Sequence, residues 1–168
     1  MKRKSVMFLL LLMPFMGAEA TTLTFGAKFT QRNPIDMDPK GPSLGDYVPG
    51  SGDLYDKNRQ VIGTFNVIST VTNLNATNSS VTRWVNAKYA FGSGYDSINI
   101  DGAETFETAT GLPAQNHTLH YSVTGGTGKY DGARGSCVVA RVNETDFVTV
   151  CKFSSMKHTF PDPSKIQW

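Results

Sequence analysis

Few side chains in this sequence stand where reactive chemistry would need them. The acidic candidate is Glu104. It shares strand parity with Ile98, Ile100 and Phe106, so its carboxyl lies among apolar neighbours if that face lines an interior. Desolvation there raises a carboxyl pKa and makes the group a proton donor or acceptor. In the competing reading Gly102 begins a bulge or strand end and Glu104 reaches water. Two arginines join it: Arg83, on the parity of Val81, Val85 and Tyr89, and Arg134, in a glycine-rich stretch. Each suits an anionic or phenolic ligand, and each suits a salt-bridged rim equally well.

Other chemistries fail on spacing. His117 and His120 are three apart, which in a strand puts them on opposite faces, and His158 stands alone near the C-terminus, so no metal site is expected. Gly128-Lys129 has Tyr130 where a phosphate loop needs Ser or Thr, and Val123 where its first glycine belongs. Gly126-Thr127-Gly128 lacks the third glycine of a dinucleotide fingerprint, and no helical period follows. There is no Gly-x-Ser-x-Gly elbow. No cofactor is expected.

The two cysteines, Cys137 and Cys151, flank a hairpin whose link is Asn143-Glu144-Thr145. If 142 faces 146, then 137 faces 151, with Cα atoms roughly 4.5–5.5 Å apart, within disulfide range. The alternatives are two free buried thiols or a slipped register. A bridge agrees with the N-terminus, where Lys2, Arg3 and Lys4, the apolar run 6–16 and Ala18-Glu19-Ala20 form a secretory leader over residues 1–20. The leader takes three of the 16 basic residues and one of the 14 acidic ones, leaving 13 of each. Without a basic cluster, neither a nucleic-acid partner nor a polybasic membrane contact is expected. Asn75, Asn78, Asn116 and Asn143 each open an Asn-x-Ser/Thr sequon in stretches that read as loops, as an extracellular glycoprotein requires.

The elements that must position these groups are strands. Residues 23–29, 60–72, 81–91, 97–106, 118–124, 136–142 and 146–153 show period-two alternation, with glycine-rich punctuation between them. No stretch holds a 3.6-residue period over ten positions. An all-β, antiparallel barrel or sandwich over residues 21–153 follows. Residues 31–52 carry Pro34, Pro39, Pro42 and Pro49 and read as a long loop after the first strand. Residues 71–80 read as an exposed turn, and 154–168 as a tail with a last strand near 156–160.

Two stretches resemble the dirigent and allene oxide cyclase superfamily. Residues 121–135, Tyr-Ser-Val-Thr-Gly-Gly-Thr-Gly-Lys-Tyr-Asp-Gly-Ala-Arg-Gly, are similar to its V-x-G-G-T-G-x-F-x-x-A-x-G signature, with Tyr130 at the aromatic position. Ser43 to Pro49, Asp53-Leu54-Tyr55-Asp56 and Val61-Ile62-Gly63-Thr64 are similar to the segment leading into the cyclases' second and third strands. In the first motif three glycines would permit positive φ and a tight reversal after Val123. The resemblance implies an eight-stranded antiparallel β-barrel, often trimeric, with an apolar cavity at one mouth. Its known activities confine a reactive species, either an unstable fatty-acid epoxide that cyclises or phenoxy radicals that couple. Arg134 matches the Ala-Arg-Gly of dirigent sequences. Gly52 stands where cyclases have Asn, Ser69 where they have a cavity Cys, and Ala27 or Lys28 near the family's first-strand acid.

Parity then nominates Phe65, Val67, Ser69, Val85, Tyr89, Ile100 and Phe106 as ligand-lining residues, with Glu104 and Arg134 as the candidates for chemistry. The expected partner is a small apolar or phenolic molecule, whose coupling or cyclisation a secreted, dirigent-like barrel, homotrimeric as the resemblance implies, would steer. The alternatives are a non-catalytic extracellular ligand-binding or interaction module, and an allene oxide cyclase-like isomerase with Glu104 as its acid.

Overall fold

The computed structural model describes residues 19–38, 43–75, 80–107 and 113–155. Most of the expected leader, Asn78, His158 and the expected strand near 156–160 lie outside them. The strands are β1 (Glu19–Arg32), β2 (Tyr47–Tyr55), β3 (Val61–Asn75), β4 (Ser80–Phe91), β5 (Asp96–Glu107), β6 (Thr118–Thr127), β7 (Arg134–Arg141) and β8 (Asp146–Ser155). Each pairs antiparallel with the next, and β8 returns to β1, so the sheet closes as a barrel in simple chain order. Closure leaves no free sheet edge. No helix among the described residues is long and apolar enough to cross a membrane. Glu19 and Ala20, which the sequence places at the leader's end, open β1 and pair with Ser155 and Ser154.

The alternation seen in the sequence is the inside–outside alternation of the wall. Phe65 and Val71 of β3, Val81, Val85, Ala87 and Tyr89 of β4, and Ile98, Ile100 and Phe106 of β5 all face inward and are buried. Val61 breaks the pattern and is exposed, because a register shift opposite Tyr55 lies between it and the core.

One strand was hidden. β2 lies partly inside the stretch that reads as a Pro-rich loop, which therefore ends earlier, at Asp46. Its inward positions are Val48, Gly50, Gly52 and Leu54, so half of them carry no side chain to signal a strand. The space over Gly50 is filled by the Phe29 ring, and a Cβ on Gly52 would collide with the Lys28 carbonyl. Neighbouring strands supply the volume that β2 lacks.

The glycine-rich motif also differs from expectation. There is no reversal after Val123, since β6 runs on to Thr127, and of the three glycines only Gly128 has a positive φ, +61°. It opens a 3-10 turn, Gly128–Tyr130, that tucks Tyr130 into the core. Gly126 is a packing glycine, since its Cβ would strike the carbonyls of Tyr130 and Ser97. Cys137 and Cys151 are paired in register and joined by a disulfide with Cα atoms 4.0 Å apart, nearer than the sequence register implied. Both are fully buried and point into the barrel.

Candidate functional site: an apolar cavity at one mouth of the barrel

The two ends of the barrel are filled differently. Where β1, β3, β5 and β7 begin, edge-to-face rings form a continuous plug: Phe25 on Phe91 (5.4 Å), Phe91 on Tyr130 (5.6 Å) and Tyr130 on Phe153 (5.5 Å). Where those strands end, a cavity of about 100 Å³ remains. Phe29, Tyr89 and Phe147 are among its lining residues, and Phe29 packs on Phe147 at 5.6 Å.

Six of the seven nominated lining residues lie on this cavity: Val67 and Ser69 from β3, Val85 and Tyr89 from β4, Ile100 and Phe106 from β5. Phe65 sits off it, buried between Phe29 (5.0 Å) and Tyr89 (6.2 Å). The wall on the far side comes from Leu119 and Tyr121 of β6 and Val139 of β7, whose period-two pattern was available in the sequence. Val48 and Arg32 had no such signal, because β2 was masked by its glycines and β1 carries a bulge between Phe29 and Gln31.

The candidates for chemistry are not brought together. Arg134 is exposed on the outer face of β7, its Nη1 donating to the neighbouring Ala133 carbonyl at 2.7 Å. Glu104 is half-buried and has a specific partner. The β5–β6 ladder runs from Ser97↔Thr127 to Asp101↔Ser122 and stops, although β5 continues to Glu107 and β6 begins at Thr118. Across that gap the His120 backbone N–H donates to Glu104 Oε1 at 2.6 Å. The carboxylate thus replaces a missing main-chain acceptor, an arrangement between the two readings of the sequence. His117 and His120 are both exposed. Among the described residues no group of three His, Cys, Asp or Glu could hold a metal.

Two phenols give the cavity its inner polarity. Burial pushes the Tyr89 hydroxyl up to about 12, with the Thr149 hydroxyl acting the other way. Burial, then Tyr89 and then Glu104, drive Tyr121 upward as well. Both are neutral hydrogen-bonding groups across the physiological range, and neither is a ready base. Of the sequons, Asn75 ends β3 and is exposed, and Asn116 occupies a turn with φ +64°. Asn143 folds over its own turn, its Oδ1 accepting from the Thr145 and Asp146 N–H groups and its Nδ2 donating to Asp146 Oδ2 at 2.7 Å.

No protein-family model matches the chain, and no curated protein matches it. Solved structures do. The chain is similar to a pyocyanin demethylase at 20% identity and a TM-score of 0.64, over 79% of this chain and 99% of that one. It is similar to AbnU, an exo-specific intermolecular Diels-Alderase, at 12% identity and 0.62, over 82% and 99%. A nonspecific heme-binding cyclase that catalyses a 4 + 2 cycloaddition during neoabyssomicin biosynthesis gives 12% and 0.65, over 89% and 71%. At these identities the likeness is one of fold. The chain is an eight-stranded antiparallel barrel of the type these enzymes share, with an apolar cavity at one mouth.

Proposed function

We propose that the cavity binds a small, largely apolar or aromatic molecule, and that the protein is a secreted, dirigent-like barrel that steers the coupling or cyclisation of that molecule without a cofactor. The observation that carries this reading is the cavity itself, walled by aliphatic and aromatic side chains from most of the strands and accessible from one mouth. A rigid apolar wall restricts the conformers of a reactive guest, and orientation alone is worth several orders of magnitude in rate. The barrels to which the chain is similar include Diels-Alderases, whose reaction is of this kind. The leader pattern and the buried disulfide support secretion. A trimer, which the superfamily resemblance implies, belongs to the same proposal.

A second reading, a binding module without chemistry of its own, is favoured by two observations: Glu104 is committed to the His120 N–H, and Arg134 faces outward. The cyclase-like alternative assigns Glu104 the role of acid, and exchange for Gln separates it from the others, since turnover would collapse while ligand retention survived.

Native mass spectrometry of the secreted, deglycosylated chain, followed by organic extraction, tests the main reading. A defined small molecule retained at one per chain, and lost when Ala87 is enlarged to Leu, is the expected result. Retention unaffected by Ala87→Leu would place the ligand elsewhere and contradict it.

A further inference from the structure

One arginine lines the cavity at its mouth, and two more lie within electrostatic reach of it. Straight alternation along β1 would turn Arg32 outward, because Phe25, Ala27 and Phe29 face in. The bulge between Phe29 and Gln31 reverses the parity, and Arg32 lines the cavity instead. Arg141 continues the inward face of Cys137 and Val139 at the end of β7. Its Nη1 donates to the Pro113 carbonyl at 2.6 Å and its Nε to the Asn143 carbonyl at 2.9 Å, which fixes it at the lip. Arg83 lies on the inward face of β4 between buried Val81 and Val85. Its Nε and Nη1 are buried and have no hydrogen-bond partner.

Buried guanidinium donors without acceptors are rare and costly, so their presence calls for an explanation. The carboxylates nearby do not accept from these two atoms, although the Asp46 charge attracts Arg83 and partly offsets its burial. Asp46 is turned into its own loop: Oδ1 accepts from the Met37 N–H at 2.8 Å and the Ser43 hydroxyl at 2.6 Å, and Oδ2 from the Ser43 N–H at 2.7 Å. Glu104 is opposite Arg83 in the β4–β5 ladder but gives Oε1 to His120. Glu144 is exposed beyond the lip, in an outer groove shared with Arg32 and Arg141. Two of the arginines act on the third: burial first, then Arg83 and Arg141, hold Arg32 below its ordinary value.

We infer that the ligand of this cavity is a small amphipathic anion, with a ring-sized apolar body inside and a carboxylate or similar oxyanion held at the mouth by Arg83, Arg32 and Arg141. The inference rests on the open end being a ligand site. The volume limits the body to at most one small ring, since the cavity is about 100 Å³ and an apolar cavity of roughly 150 Å³ accommodates benzene. The register sets the spacer. Arg83 is two residues beyond Val85, and Arg141 two beyond Val139, a rise of about 7 Å along a strand. That distance separates ring from charge by a chain of two or three carbons. Oxyanions pair with guanidinium donors in the fork geometry that leaves the fewest of them unsatisfied.

The test is calorimetric titration of the full chain with 3-phenylpropanoate and with its neutral counterpart 3-phenylpropan-1-ol, on wild type, Arg83→Gln and Arg83→Lys. Wild type should prefer the acid by about ten-fold or more, the order expected of hydrogen bonds to a charged group. Arg83→Gln should cut the preference several-fold, with a smaller loss for the alcohol than for the acid, and Arg83→Lys should restore part of it. Should Arg83→Gln not fold, as thermal unfolding would report, Arg32→Gln carries the same expectation. Equal binding of acid and alcohol by wild type, or an undiminished preference in the Gln variants, overturns the inference and leaves the cavity reading standing. Binding of neither compound overturns both.

Discussion

The two ends of the barrel are built from the same eight strands and the same alternation, yet one is sealed and the other hollow. At the sealed end glycines let the wall draw in. A Cβ on Gly63 would strike the Ala90 carbonyl, and one on Gly135 the Lys152 carbonyl, so no other residue permits these approaches without backbone movement. The space left is filled by the ring plug and by fully buried Leu54 and Ile98. At the hollow end the wall opens. The β5–β6 ladder stops at Asp101↔Ser122, a side chain bridges the gap, and Arg32 joins the rings on the inward face. The lesson is a division of labour: packing that holds the fold together is concentrated at one end, which leaves the other free to keep a cavity and unsatisfied donors.

The sharpest way to break this division is at the plug. Phe25→Ala removes a ring that packs on both Tyr89 and Phe91. It should lower stability by about 3–5 kcal/mol and the melting temperature by about 10 °C, both read by thermal and denaturant unfolding. Ligand affinity measured well below the transition should survive. Equal loss of affinity would mean that the ends are not separable.

Next in size is the disulfide. Its sequence separation is 14, and replacing both cysteines by Ser should cost about 3 kcal/mol. The bridge ties β7 to β8, and the cavity should again be spared. Ala87→Leu has the opposite profile. It grows into the cavity, so ligand affinity should fall ten-fold or more, while the loss of stability stays within about 1–3 kcal/mol, below that of the plug variant. A large loss of stability with unchanged binding would reverse the assignment of the two ends.

Much of this architecture can be read from the residues alone, and the parts that cannot have physical causes. The alternation of Val81, Val85, Ala87 and Tyr89 marks both a strand and a cavity wall, because the same inward face does both jobs. The pairing of Cys137 with Cys151 follows from the short turn at residue 144, since turn length fixes register. β2 is illegible in the alternation, though not in the motif resemblance, because Gly50 and Gly52 have their volume supplied by Phe29 and by the Lys28 backbone. Arg32 is illegible for a related reason, since a bulge reverses parity and nothing in Thr30-Gln31 announces one. Glu104 reads as interesting on parity, but its role depends on where the neighbouring ladder stops, a long-range property of the sheet.

Two smaller effects sharpen the picture at the open end. Glu104→Ala leaves the His120 N–H without its acceptor and should cost about 1 kcal/mol. Glu104→Gln, which keeps an acceptor oxygen, should cost less than half of that in urea unfolding. Asp46 provides the pH dependence. Hydrogen bonds from Ser43 and Met37 hold its carboxyl below the ordinary aspartate value. A depressed folded pKa contributes stability that is fully present above the unfolded value near 4 and is lost as pH falls through the lower folded value. The loop before β2 should therefore loosen only in acid, and Asp46→Asn should remove that dependence when amide exchange of Ser43 and Met37 is followed against pH.

The claim that the open end is a ligand site is tested most directly by methyl NMR of the labelled chain, titrated with 3-phenylpropan-1-ol. Shifts confined to methyls of Val67, Val85, Ala87, Ile100, Leu119 and Val139, with Leu54 and Ile98 at the sealed end unmoved, are the predicted result. No saturable shifts, or shifts centred on Leu54 and Ile98 or on the outer face, would contradict it.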